Sequence, residues 1–307
     1  MGDNTNIQWT EATWNPLAAF HKETGERGWI CVLHSTGCLH CYAWEMNLWR
    51  GNGLDYIKAS LDFLDIRHVN LDQPLHWKRP RMIFTCSMTD LFGEFHDFEQ
   101  HIAPVFDVMA LANWHTYQLL TKRAERMKNF VAWYCFKRGL TPEQFRERFK
   151  HVWFGVSVEN QKAANERILH LLQVPAIVRW ISAEPLLEKI DISIYLASGF
   201  DEPPFGDIVN WVVIGGESGT KEEARRFNLM HGANLIKQCR DADVPAFMKQ
   251  IGSNAGWLDA DGDWHVWQTK DKKGGDMSEW PDEATYPAQL RVRQYPQQAQ
   301  EKAHATL

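Results

Sequence analysis

The sequence has no apolar run approaching the roughly 20 residues of a membrane span, so a cytoplasmic protein without a membrane partner is expected. No secretory pattern precedes its cysteines, which fits poorly with an extracellular fold stapled by disulfides. It also lacks an excess of positive charge. A formal net charge of −6 over 307 residues argues against indiscriminate coating of nucleic acid but leaves room for a local basic groove. Cysteine is sparse, at six, and Cys86, Cys135 and Cys239 each stand alone. The second Cys/His pair that zinc ribbons and knuckles usually show is therefore missing. The rest is ordinary for a globular chain, with 44% hydrophobic and 23% charged residues. That length suits one large α/β domain or two modest ones. The 15 Trp are core bulk first and stacking platforms second.

Against this background, the stretch WICVLHSTGCLHCYAW from Trp29 to Trp44 organises the chain. Cys31, Cys38 and Cys41 stand in the spacing C-x6-C-x2-C. Three thiolates from one short loop suit a soft metal or an iron–sulfur cluster. A closed structural zinc site wants four protein ligands, whereas a cluster held by three leaves one iron open. Buried, inert cysteines fit the polar neighbours poorly. Zinc is the rival, with His34 or His40 as a fourth ligand. From Tyr42 to about Arg50 the pattern predicts a helix starting at the last cysteine, whose N-terminal partial charge favours thiolate.

Before the loop, Ile7 to Pro16 reads as an extended lead-in and His21 to Gly28 as a polar link. After it, apolar runs of strand length alternate with helical patterns. The runs are Arg81–Leu91, Thr116–Arg123, Val152–Asn160, Ile177–Leu187, Ile208–Gly219 and Pro245–Gly252. Helices are expected around Phe98–Ala112, through Phe136, from Thr141-Pro142, over Ala163–Leu172 and over Gly232–Asp241. Such alternation predicts an α/β fold with a parallel sheet covered on its faces. Six or so units suit a full or partial barrel better than a short open sheet, although a doubly wound sheet stays open. In a barrel the functional residues gather at the C-terminal ends of the strands. Those ends carry Ser87, Thr89 and Asp90; Lys122 and Arg123; Ser157, Glu159 and Asn160; Ser182 and Glu184; Glu217 and Ser218; Lys249 and Gln250. Some of these, such as Ser182, Ser218 and Asn160, are equally suited to capping the next helix. From Asn254 onward, DADGDW marks a turn between short β pieces, KDKKGGD is a polar run, and the last dozen residues are expected to be mobile.

With these motifs in place, the chain resembles a phage-associated three-Cys-motif family of radical-SAM-like proteins, from about Trp9 to Pro296. The likeness rests on TWNP (13–16), GWIC…GCLHCYA (28–43), GNGLDY (51–56), LLTKR (119–123), WFGVSVEN (153–160), SAEPLL (182–187), GGESG (215–219), and GGD…EWP with LRVRQYP in the tail. The family is similar in outline to spore photoproduct lyase, a radical enzyme acting on thymine in DNA. The resemblance implies a partial (β/α)6-type TIM-like barrel over residues 1–253, with a small C-terminal appendage over 254–307. It implies a [4Fe–4S] cluster on Cys31, Cys38 and Cys41, with S-adenosylmethionine chelating the fourth iron. Reduction would then yield methionine and a 5′-deoxyadenosyl radical that takes hydrogen from substrate. Cofactor contacts fall to Tyr42, Ser87, Thr89, Asp90, Lys122, Ser157 and Glu159. Glu184, Glu217 and Lys249 take catalytic roles, Glu217 on the substrate side. Two departures stand out. The commonest spacing of such enzymes is C-x3-C-x2-C, and the GGE expected after the first long strand is replaced by SMTD (87–90).

The expected function is therefore a radical S-adenosylmethionine enzyme of isomerase or lyase type, supplied with electrons by a reductase. Its expected substrate is a pyrimidine base, already modified or within DNA, in phage DNA hypermodification in the host cytoplasm. The alternatives are a zinc-stabilised, non-enzymatic nucleic-acid-binding module and a cluster protein that senses or transfers electrons. Basic groups at Lys78, Arg79 and Arg81, at Lys122, Arg123 and Arg126, and at Arg225 and Arg226 could form a phosphate-tracking rim or solvated helix faces.

Overall fold

The computed structural model describes residues 5–53, 55–56, 61–196, 207–282 and 289–297. Leu54 of the GNGLDY stretch and the last ten positions, 298–307, lie outside the described residues. The chain divides into two compact units, Met1–Gly155 with Val174–Ile177, and Val156–Gln173 with Val178–Leu307. It is mixed α/β, with parallel strands alternating with helices as the apolar runs predict.

The first unit opens with β1 (Ala12–Trp14), β2 (Leu17–His21) and β3 (Arg27–Gly28), then α1 (Tyr42–Arg50), β4 (Leu64–His68) and α2 (Gln73–His76). It continues with β5 (Met82–Thr85), α3 (Ala103–Leu111), β6 (Thr116–Thr121), α4 (Ala124–Arg138), α5 (Pro142–Arg148) and β7 (Val152–Ser157), whose last two residues belong to the second unit. Its parallel strands follow the order β1-β5-β6-β7, with Trp14 opposite Thr85 and Phe84 opposite Gln118. Ile83, Phe84 and Thr85 are all buried, as a strand covered on both faces requires. The predicted polar link from His21 to Gly28 is instead a hairpin turn. The His21 N–H bonds the Glu26 carbonyl, and β2 pairs antiparallel with both β3 and β4. The helix expected from Phe98 starts with a π turn, capped by Asp97 on the N–H groups of Glu99 and Gln100, before α3 proper. α4 ends where Gly139 takes φ +63°, the left-handed cap that glycine adopts without a Cβ clash. α5 starts with the Thr141/Gln144 capping box. Phe106 centres the core, with Phe130 at 4.7 Å and Phe149 at 5.4 Å between ring centroids.

The second unit holds α6 (Gln161–Leu171), β8 (Val178–Ala183), α7 (Ser193–Leu196), β9 (Trp211–Gly215), β10 (Phe227–Asn228), α8 (Leu229–Asp241), β11 (Ala246–Gln250), β12 (Ala255–Leu258) and β13 (Trp264–Val266). β9 lies between β8 and β11 and is parallel to both. All six residues of β8 are buried, and Trp180 and Trp211 pack at 5.3 Å. Asn160 caps α6 through the Ala163 N–H at 2.8 Å, the structural role allowed for it. The DADGDW turn joins β12 to its antiparallel partner β13. Among the described residues no helix is long and apolar enough to cross a membrane.

Candidate functional site

The cysteine loop threads through a short turn before it meets α1. Cys38 ends a 3₁₀ turn over Thr36–Cys38, and its Sγ accepts the His34 N–H at 3.5 Å. Cys41 is the N-cap residue of α1 and makes no side-chain cap, so its thiol stays at a helix N-terminus as predicted. All three cysteines are free and half-buried. Cys31 and Cys41 pack with Trp29, Leu33, Trp44 and Met46 around Ala43, Tyr56 and Met88. The Tyr56 hydroxyl donates to the Met88 carbonyl at 2.9 Å. Burial pushes the Cys31 thiol up to about 11, with the Asp90 carboxylate adding to the rise and Arg123 opposing it. Without a bound cation Cys31 therefore stays a thiol near neutral pH.

Two asparagines hold this loop's base. The Asn47 Oδ1 accepts the Trp29 N–H at 2.8 Å, and its Nδ2 donates to Asn52 Oδ1 at 2.8 Å. Asn52 in turn donates to the carbonyls of Ala19 and Trp29. A Cβ on Gly28 would stand 2.3 Å from the Asn52 backbone nitrogen, so the glycine before Trp29 is dictated by this close approach. Sequence reading missed both asparagines, one in the second half of α1 and one just past its end; a polar residue there looks the same in sequence whether buried or solvated.

The SMTD turn follows β5, and each of its candidate residues has a definite partner. Ser87 exchanges hydrogen bonds with the side chain of Asn15 from TWNP, which also accepts the Met88 N–H at 3.1 Å. The Tyr42 hydroxyl donates to the Ser87 carbonyl, and the Thr89 hydroxyl to the Ile30 carbonyl. Asp90 is buried and saturated. Its carboxylate accepts from the Thr121 hydroxyl at 2.7 Å, the Lys122 N–H at 3.1 Å, the Phe92 N–H at 3.0 Å and Arg123 Nη1 at 3.1 Å. Arg123 also holds Glu94 at 2.7 Å and the Val32 carbonyl of the cysteine loop at 2.9 Å. The side chain of Lys122 has no partner among the described residues.

These contacts correct the basic rim. Arg123 is buried in the Asp90 network rather than facing phosphate. Arg126 lies 4.6 Å over the Phe98 ring and donates to the His96 carbonyl. Arg225 grips Glu217 through its Nε at 3.0 Å and its backbone N–H at 2.9 Å. In each case a nearby carboxylate, carbonyl or ring competes successfully for the cation. Lys78, Arg79 and Arg226 are exposed, with Arg226 lying 5.0 Å over the Trp264 ring.

In the second unit two of the expected catalytic residues meet. Lys249 Nζ stands 2.5 Å from Glu184 Oε1, both partly exposed. Gly215 clears the space for that carboxylate, since a Cβ there would come within 3.1 Å of the Glu184 Cδ. A Cβ on Gly216 would come within 2.3 Å of the Ile251 carbonyl oxygen, so the GG of GGESG meets two separate steric demands. Glu217 is paired with Arg225 instead of joining Glu184 and Lys249. Ser157 and Glu159 lie at the buried end of β7, where Arg167 donates to the Ser157 carbonyl at 2.8 Å and to Glu159 at 2.8 Å. That arrangement is a structural ion pair with little carboxylate left for a ligand.

As they stand, no three His, Cys, Asp or Glu side chains among the described residues are grouped to hold a metal ion. The donor set nevertheless fits a sulfur-ligated cluster on two counts. Three free thiols occur within eleven residues, and the indole nitrogens of Trp29 and Trp44 and the Ser35 hydroxyl beside them are buried with no hydrogen-bond partner among the described residues.

Residues 4–289 match the family described as protein of unknown function DUF5131, and the chain belongs to it. No curated protein and no solved structure matches the chain.

Proposed function

We propose that this chain is a radical S-adenosylmethionine enzyme whose Cys31, Cys38 and Cys41 hold a [4Fe–4S] cluster. The observation that carries this reading is the loop itself, with three free thiols and buried donors around them that have no partner among the described residues. When bound, the cluster and S-adenosylmethionine supply a 5′-deoxyadenosyl radical for hydrogen abstraction. The chain's own part is to hold, orient and exclude water. Asp90 acts as a positioning residue, because its oxygens are already taken by Thr121, Lys122 and Arg123. Lys122, whose ammonium has no partner among the described residues, is assigned to the cofactor carboxylate. Tyr42 fixes the turn backbone at Ser87, and Thr89 ties that turn to the cysteine loop at Ile30, the two segments that would hold the cofactor.

Glu184 and Lys249 form a hydrogen-bonded acid–base pair able to hold or move a proton between Oε1 and Nζ. The parallel strands alternating with helices support a partial barrel of the radical-SAM kind. The proposed substrate is a pyrimidine base, modified or within DNA, and a reductase is the electron donor. A base in a duplex must be flipped out, at a cost of a few kcal/mol that stacking offsets. Within the candidate rim Arg123, Arg126 and Arg225 are engaged inside the protein, so log affinity for DNA should fall only shallowly with log salt.

The test supplies deuterated pyrimidines, free and in DNA, with S-adenosylmethionine and dithionite. Label in 5′-deoxyadenosine is the expected result. If cleavage occurs but label comes only from a peptide or small metabolite, the substrate assignment is wrong. If no cleavage occurs in protein carrying a full cluster, the enzymatic reading itself is lost.

A further inference from the structure

The cysteine loop carries three buried donors without a hydrogen-bond partner among the described residues. These are the Trp29 Nε1, the Ser35 Oγ and the Trp44 Nε1. Each lies within three residues of a different cysteine: Trp29 before Cys31, Ser35 before Cys38, and Trp44 after Cys41. Trp29 and Trp44 also pack with Cys31 and Cys41 around the same small core of Ala43, Tyr56 and Met88. Ser35 occupies the N-cap position of the 3₁₀ turn, yet its side chain makes no cap bond. A buried N–H or O–H without an acceptor costs about 1–3 kcal/mol, so three around one loop are costly unless something accepts from them. Aromatic bulk alone would be met by Phe at Trp29 and Trp44, which adds no polar atom.

We infer that Trp29, Ser35 and Trp44 donate hydrogen bonds to the sulfur atoms of the bound cluster and thereby set its reduction potential. The inference rests on the proposed cluster. Hydrogen bonds to sulfur stabilise the more negative, reduced cluster and raise its potential. Each donor therefore makes the site easier to reduce. The polar shell also explains why a loop with bulky aromatics retains indoles next to thiols. The three are positioning and tuning residues, since none is placed on substrate.

The test measures the midpoint potential of the full chain after anaerobic loading, for the parent and for Trp29→Phe, Trp44→Phe and Ser35→Ala. Iron and sulfide per chain are measured on the same samples. The expected result is iron and sulfide content equal to the parent, with a midpoint shifted to more negative potential in each variant and further in a Trp29→Phe/Trp44→Phe pair. Ser35→Ala removes one oxygen only, so it reports even where an aromatic change disturbs packing. Full clusters with an unchanged midpoint in all variants would overturn the tuning role while leaving the cluster in place. A parent chain that takes up iron without sulfide, or only zinc, would overturn both.

Discussion

Asp90 and Arg123 close a buried ion pair at 3.1 Å, and the same guanidinium reaches the Val32 carbonyl between the first two cysteines at 2.9 Å. One side chain thus ties the turn after β5 to the cysteine loop. The geometry explains why a polar LTKR stretch at the end of β6 lies inside the fold. Both members are almost fully desolvated, so their value lies in mutual compensation.

Arg123→Met should destabilise the chain by about 3–5 kcal/mol in urea unfolding, because Asp90 is left charged and buried. The Arg123→Met/Asp90→Asn double variant should recover part of that loss. Additive losses in the double variant would show that the two side chains do not compensate each other.

Gly215 and Gly216 should respond differently to alanine. At Gly215 the added Cβ meets the movable Glu184 side chain, so Gly215→Ala should cost about 1 kcal/mol and shift the Glu184–Lys249 pair. At Gly216 it meets the Ile251 backbone, so Gly216→Ala should cost about 3 kcal/mol or more. Thermal unfolding ranks the two, and equal losses would contradict the steric account.

His96 gives the chain an acid-sensitive core. Burial pushes its imidazole down to about 4, while Nδ1 stays 3.1 Å from the Leu91 carbonyl. Its neighbours include His101 and Asp90, the first opposing and the second favouring protonation. In the unfolded chain His96 titrates near 6.5, so between that pH and about 4 the unfolded state binds the extra proton. Stability is therefore complete above pH 6.5 and falls with decreasing pH, by about 3 kcal/mol across the window. His96→Gln should flatten this pH dependence in unfolding at pH 7 and pH 4.5. An unchanged slope would mean that other groups carry it.

Much of this was legible because it is local. The run from Met82 to Thr85 and the six buried residues of β8 read as covered parallel strands, and Thr141-Pro142 announced its own helix. The start of α1 directly after Cys41 followed from the same kind of pattern. The antiparallel sheet of β2, β3 and β4 was not legible, because Leu17–His21 pairs with a strand over forty residues away. Nor was the fate of Arg123 and Arg225. A charged residue beside a strand end looks the same in sequence whether it faces solvent or a carboxylate. Glu184 and Lys249 meet across 65 positions, and Glu217 turns to Arg225 instead, eight residues on.

The most direct measurement is the metal and sulfide content of the full chain purified without oxygen. The protein should be brown, with about four irons and a matching amount of sulfide per chain, and Cys38→Ala should lose most of that colour. Stoichiometric zinc with no sulfide would contradict it and would favour a zinc-stabilised binding module.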